Sequence, residues 1–200
     1  MKRGTSRALA GGLTASLLLA LAVVGLWAVG GGPPGAIAQP VVTMGVDADP
    51  TASPANTATS LGSIQGCRAV SVGAQFTVDV YVTSVSNLRS WEVYFQYDKT
   101  VVKVVGADVY QFLASGAGSN VSDYSEWVPD TDGVFLAAAF DFGTNHESGS
   151  GVLVRLTLEA IAQGVSIASI AKLDWNGDTV VDIGPSLKDA AGNAIGNTDG

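Results

Sequence analysis

QFTVDVYVT (residues 75–83) and LRSWEVYFQY (88–97) set the fold class. In the first, Phe76, Val78, Val80 and Val82 alternate with Thr77, Asp79, Tyr81 and Thr83. In the second, Trp91, Val93, Phe95 and Tyr97 alternate with Glu92, Tyr94 and Gln96. Successive side chains of a strand point to opposite faces, so a period of two predicts strands with one buried face. Trp91 falls in the apolar register and is expected in the core. VLVRLTLE (152–159) repeats the pattern, setting Val152, Val154, Leu156 and Leu158 against Arg155, Thr157 and Glu159. Further strands are expected near 41–47, 101–106, 134–140, 165–173 and 179–183. Asp98-Lys99-Thr100, Pro129-Asp130-Thr131-Asp132-Gly133 and Asp189-Ala190-Ala191-Gly192-Asn193 read as turns. Residues 48–66, rich in Ala, Ser, Thr, Pro and Gly, read as a long surface loop. Beyond the leader the one helical signal is a short turn around Val109–Ala114. Many short strands with turns between them predict an all-β sandwich or barrel.

The N-terminal segment has the three parts of an export signal. Lys2, Arg3 and Arg7 precede an uncharged run from Ala8 to Gly32, and Pro33-Pro34-Gly35 then leads to Ala36-Ile37-Ala38. Residues 1–38 are therefore read as a signal peptide cut after Ala38, and 39–200 as one secreted domain. An uncleaved anchor is the alternative, and it is the only membrane contact the sequence suggests. Of ten Lys and Arg, three lie in this leader. Seven then stand against eighteen acidic residues in the remainder, an excess of eleven negative charges. Such a surface repels phosphate backbones, which excludes nucleic acid as a partner. Cys67 is the one cysteine. It can form no internal disulfide, and burial is the expected fate of a lone thiol.

An ordered series of strands carries a family resemblance. VSVGAQFTVDVYVTSVSNLRSWEVYFQYDKTVVKVVGADV (70–109) resembles the opening of bacterial cohesin domains. There an alternating strand leads into a second one that ends in Tyr-Asp, here Tyr97-Asp98, and a strand like Val101–Val105 follows. GVFLAAAFD (133–141) and SGVLVRLTLEA (150–160) are similar to two central strands of that family. The resemblance runs from about residue 41 to 197. It implies a nine-stranded jelly-roll β-sandwich related to some carbohydrate-binding modules. It also implies a non-catalytic module that binds a dockerin-like protein through one flat sheet face. On the strand ending in Tyr97-Asp98, the partner-binding positions correspond to outward Ser90, Glu92 and Tyr94.

Other constellations bear residue types that can carry chemistry. Asp174, Asn176, Asp178 and Asp182 have the oxygen-ligand spacing of a calcium loop. Thr179 replaces the glycine such a loop needs, and Pro185 stands where its bidentate acid belongs. A polar hairpin turning at Asn176-Gly177 is the simpler reading, so calcium stays only a possible cofactor. His146, the one histidine, is expected to be solvated in a loop. Asp130 and Asp132 are expected to bond backbone in a turn. No nucleophile–base pairing is evident, so the chain is not read as an enzyme. Trp127, Trp175 and Tyr81 are candidates for stacking on sugar rings, although Tyr81 and Tyr94 are read first as a cross-strand pair. The expected function is thus a secreted binding module for a dockerin-like or other protein, in polysaccharide degradation or cell-surface assembly. The alternatives are a carbohydrate-binding module that uses exposed aromatics on a polysaccharide, and a structural domain of a surface assembly.

Overall fold

The computed structural model describes residues 41–172, 184–196 and 198–199. Nine strand segments are described: β1 (Thr43–Asp47), β2 (Gln75–Gln96), β3 (Val102–Asp108), β4 (Val121–Asp123), β5 (Val134–Asp141), β6 (Glu147–Ala160), β7 (Ser169–Ile170), β8 (Ser186–Asp189) and β9 (Thr198–Asp199). One sheet curls so that its halves face each other, and β2 belongs to both. Its first half runs antiparallel between β1 and β6, with β3 beyond β6 and β9 parallel to β1. Its second half lies between β5 on one side and β7 and β8 on the other, with β4 beyond β5. We call these the first and second layers.

The bend in β2 follows from its side chains. Buried residues recur every second position at Val78, Val80 and Val82. The interval then lengthens to three through Val85, Leu88 and Trp91, and returns to two at Val93 and Phe95. The first two extra residues are absorbed by shifts in the β2–β6 register and the third by a shift in the β2–β8 register, and Ser84 and Asn87 take a positive φ of 57°. Such bulges bend a strand and raise its twist. The core then forms between the layers. Met44, Val80 and Leu156 of the first meet Phe95, Phe135 and Leu187 of the second in one apolar cluster. Trp91 is buried there as expected.

Several expectations need correction. Of the strand expected over 165–173, the described residues 165–172 form one only at Ser169–Ile170, while the strands Val121–Asp123 and Ser186–Asp189 lie outside the expected set. The 179–183 strand lies outside the described residues. The expected helical turn is a 3₁₀ turn at Phe112–Ala114. The inward register of β6 breaks at its N-terminal end. A register shift puts Leu153 in the core cluster, and Val152 is covered from outside, where its N–H bonds Ala58 O. Gly151 marks the same contact, since a Cβ there would stand 2.2 Å from Ala58 O and 2.4 Å from the Phe112 ring. Cys67 is exposed rather than buried, because residues 66–72 form no strand and lie along the mouth of an apolar cleft. His146 is not solvated. Its side chain is 9% exposed and its Nδ1 lies 3.3 Å from the buried Asp141 carboxylate.

Candidate functional site

The outer face of the first layer is covered around Asp47 and Asp79. Asp79 points outward from β2, as its register predicts, yet it has no exposed surface. The long loop after β1 lies over it. Arg155, its neighbour on β6, donates from Nε to Asp79 Oδ1 and from Nη2 to Oδ2, both at 2.8 Å. Asp47 is its neighbour on β1 and is also fully buried. Asn56, brought in by the loop, donates to Asp47 Oδ2 at 2.8 Å and to Asp79 Oδ2 at 3.1 Å, and accepts from Gly62 N–H. The remaining Asp47 oxygen accepts from the N–H groups of Asp49 and Gln65. Bonding to Asp79 is the main cause that raises the Arg155 pKa above its ordinary value. Every partner here is internal, so the network pins the loop and leaves no group for a ligand.

The outer face of the second layer is open. Glu92 and Tyr94 alternate with buried Trp91, Val93 and Phe95, and Ser90 precedes Trp91 on the same strand. Across β5, Ser90 is opposite Phe140, Glu92 opposite Ala138 and Tyr94 opposite Leu136. Across β8, Ser90 is opposite Lys188 and Glu92 opposite Ser186. The expected trio is therefore gathered on one face, and the neighbouring strands add an apolar row beside it. Tyr94 donates its hydroxyl to Glu92 Oε1 at 3.0 Å. Burial first, and that bond second, raise the phenol above its ordinary pKa. At one end the Arg89 guanidinium lies 4.6 Å over the Phe140 ring, which in turn lies 4.5 Å from Phe142.

Glu126 closes the opposite edge, its Oε1 accepting from Leu136 N–H at 2.6 Å. Burial raises its carboxyl pKa above the ordinary 4.5. The Leu136 bond opposes that shift, and Asp130 and Asp132 add to it. An acid whose folded-state pKa is raised contributes stability below its unfolded pKa and loses it as pH rises through the folded value. Glu126→Gln keeps the acceptor and removes the charge. It is expected to raise the melting temperature at pH 7 and to change it little at pH 4, a difference that calorimetry at the two pH values reads. An equal effect at both would refute this account.

The other candidates are not gathered. Tyr81 sits on the first layer beside Gly45, where a Cβ would fall 2.4 Å from its hydroxyl, and so it covers that glycine. Tyr81 and Tyr94 are no cross-strand pair, because the bend puts them on different layers. Trp127 is 94% exposed in the segment between the β5 edge and the Asp130–Val104 bridge. Trp175 and the calcium candidates Asp174, Asn176, Asp178 and Asp182 lie outside the described residues. Among the described residues, no group of three or more His, Cys, Asp or Glu is arranged to hold a metal. Asp132 bonds Val134 N–H as a turn acid does, but Asp130 is buried and accepts from the Tyr97 hydroxyl. A cleft of about 870 Å³ at the other end of the sandwich is lined by Val46, Phe76, Leu158 and Val165 among others, with no carboxylate or histidine.

Comparison with known proteins agrees with this fold. The family model "Cohesin domain" matches residues 62–186. The chain belongs to the cohesin family. A cohesin domain is a non-catalytic protein-binding module, and this one has the family's fold. The sixth cohesin of scaffoldin B from Acetivibrio cellulolyticus, solved with a Cel5 dockerin mutant, is 14% identical with a TM-score of 0.52. That match covers 80% of this chain and 95% of the other. A type II cohesin–X-dockerin complex from the same organism is 15% identical with a TM-score of 0.51, covering 80% and 93%. Type II cohesin A11 from Bacteroides cellulosolvens is 17% identical with a TM-score of 0.50, covering 80% and 95%. A search of curated proteins finds no match.

Residue reading missed Arg89, Leu136, Ala138, Phe140, Phe142 and Lys188 on the open face of this cohesin. For β5 a signal existed. VFLAAAFD is apolar in both registers, so an apolar outer face is legible in it. Nothing in the four-residue SLKD segment marks Lys188 as its neighbour.

Proposed function

We propose that this cohesin is an exported module that docks a dockerin or dockerin-like protein on the outer face of its second layer, within polysaccharide degradation or cell-surface assembly. The single observation that carries this reading is the contrast between the two faces. The first layer is covered by its own loop around Asp47 and Asp79, whereas the second presents a mixed face of Ser90, Glu92, Tyr94, Leu136 and Phe140 with no covering segment among the described residues. Polar groups around an apolar strip suit a protein interface. The complexes with dockerins among the structural relatives point to the same partner class. The leader is the ground for export. Among the described residues no helix is long and apolar enough to cross a membrane.

The test expresses the full chain in a secreting host and sequences the N-terminus of the product, which should begin at Gln39. The product is then titrated against individually purified dockerin modules of the source organism. Saturable binding to at least one module is expected. Binding to none, with retention on insoluble cellulose, would replace this reading with the glycan one, for which the exposure of Trp127 is the favouring observation.

A further inference from the structure

Seven Lys and Arg lie beyond the leader. Arg68 pairs with Asp49, Lys103 with Glu159 and Arg155 with Asp79. Arg89 and Lys188 have a different setting. Ser90 lies between Lys188 on β8 and Phe140 on β5, so these two flank it on the outer face. Arg89 stacks on that Phe140 ring and donates from Nη1 only to a neutral acceptor, Ala190 O at 3.2 Å. Lys188 is exposed.

The acids nearby are engaged elsewhere. Asp189 accepts from Ala191 N–H, Asn193 N–H and the Asn193 amide. Glu92 accepts from Tyr94, and Asp123 on β4 from Ser125 N–H. Asp141 is fully buried and accepts from the N–H groups of Asn120 and Gly143. Two cations thus stand next to Ser90, one preceding it on β2 and one opposite it on β8, with no acid paired to either among the described residues, on a chain that is strongly negative overall. Phe142 adjoins them with 53% of its surface exposed. The Arg89 Nε–H is buried without a partner and Nη1 is taken by Ala190 O, so exposed Lys188 supplies the donors for a carboxylate while Arg89 adds its charge beside it.

We propose that this end of the open face receives an acidic side chain of the partner, with an apolar partner side chain beside it on Phe140 and Phe142. The inference rests on the protein-docking reading above and deepens it. It fixes which way round the partner lies, with its carboxylate over Lys188 and Arg89 rather than over the Glu92–Glu126 end. An inorganic anion would use the cations but would leave the rings bare.

The probe is the dockerin module that binds most tightly in the panel, titrated at low and high salt against wild type, Lys188→Glu, Lys188→Arg, Arg89→Gln and the distant control Lys99→Glu. Lys188→Glu should weaken binding about tenfold at low salt and less at high salt, because rim charges act through screened attraction. Lys188→Arg should keep the affinity, and Lys99→Glu should leave it unchanged. Melting temperatures of the variants confirm that each is folded. If the charge variants bind as wild type while Tyr94→Ala weakens binding, the acidic-partner inference is overturned and the docking reading stands. If no dockerin binds wild type, both fall.

Discussion

Asp79→Ala is expected to cost about 3 kcal/mol of folding stability. The carboxylate is fully buried, and it accepts from Nε and Nη2 of Arg155 and from the Asn56 amide. Truncation leaves a partly buried guanidinium without its counter-ion and an amide with one partner fewer. Breaking a buried pair from one side is costly for that reason, whereas replacing both members by apolar residues is far milder. Asp79→Leu combined with Arg155→Met should therefore recover much of the loss. The same deletion should loosen the long loop, because Asn56 is its one buried polar anchor. Urea denaturation reads the first effect as a lower midpoint at unchanged slope. Limited proteolysis reads the second as new cleavage between residues 50 and 65. A loss below about 1 kcal/mol would mean that the network is solvated in practice and that the first layer's outer face is not sealed.

That network also shows where a sequence is readable and where it is not. The direction of Asp79 followed from its place between Val78 and Val80. Its burial did not, because the cover comes from residues 56–65, whose Ala, Ser, Thr and Gly composition resembles any exposed loop. Local periodicity reports direction, and burial depends on what tertiary structure lays on top. The bend in β2 was present in the sequence as the interval of three from Val82 to Val85, Leu88 and Trp91. Two separate strands were the natural reading of it. The inward face of β6 is legible from Val154 to Leu158 and misleading at Val152, where a single bulge residue reverses the phase. Tyr81 and Tyr94 share an outward register, but a bend between them sends one to each layer, and no pairwise rule foresees that. Ser90, Glu92 and Tyr94 came together as expected because one strand carries all three. Lys188 reaches them only through the pairing of β8 with β2, across about half of the chain.

Ala138→Arg is expected to abolish measurable dockerin binding, a loss of at least about 100-fold or 2.7 kcal/mol, while the protein remains folded. Ala138 lies opposite Glu92 and between Leu136 and Phe140 along β5. Ala138 is only 8% exposed, set low between its larger neighbours, but it lies outside the core cluster, so a long cationic side chain rises through the centre of the docking area without entering the core. Interfaces concentrate their energy in well-packed central residues, and a bulky charge there removes shape fit and desolvation together. Ala137→Arg supplies the decisive contrast. Ala137 is fully buried in the core cluster opposite Val93, so the same side chain one residue earlier must place a guanidinium among Phe95, Phe135 and Leu187. That variant should fail to fold, because a buried unpaired charge costs several kcal/mol against the few by which a domain is stable. A folded Ala138→Arg that binds a dockerin as tightly as wild type would move the interface elsewhere. Loss of binding in Ala138→Arg with native stability, beside an unfolded Ala137→Arg, ties recognition to the outward register of β5, because consecutive residues of one strand differ only in the face they present.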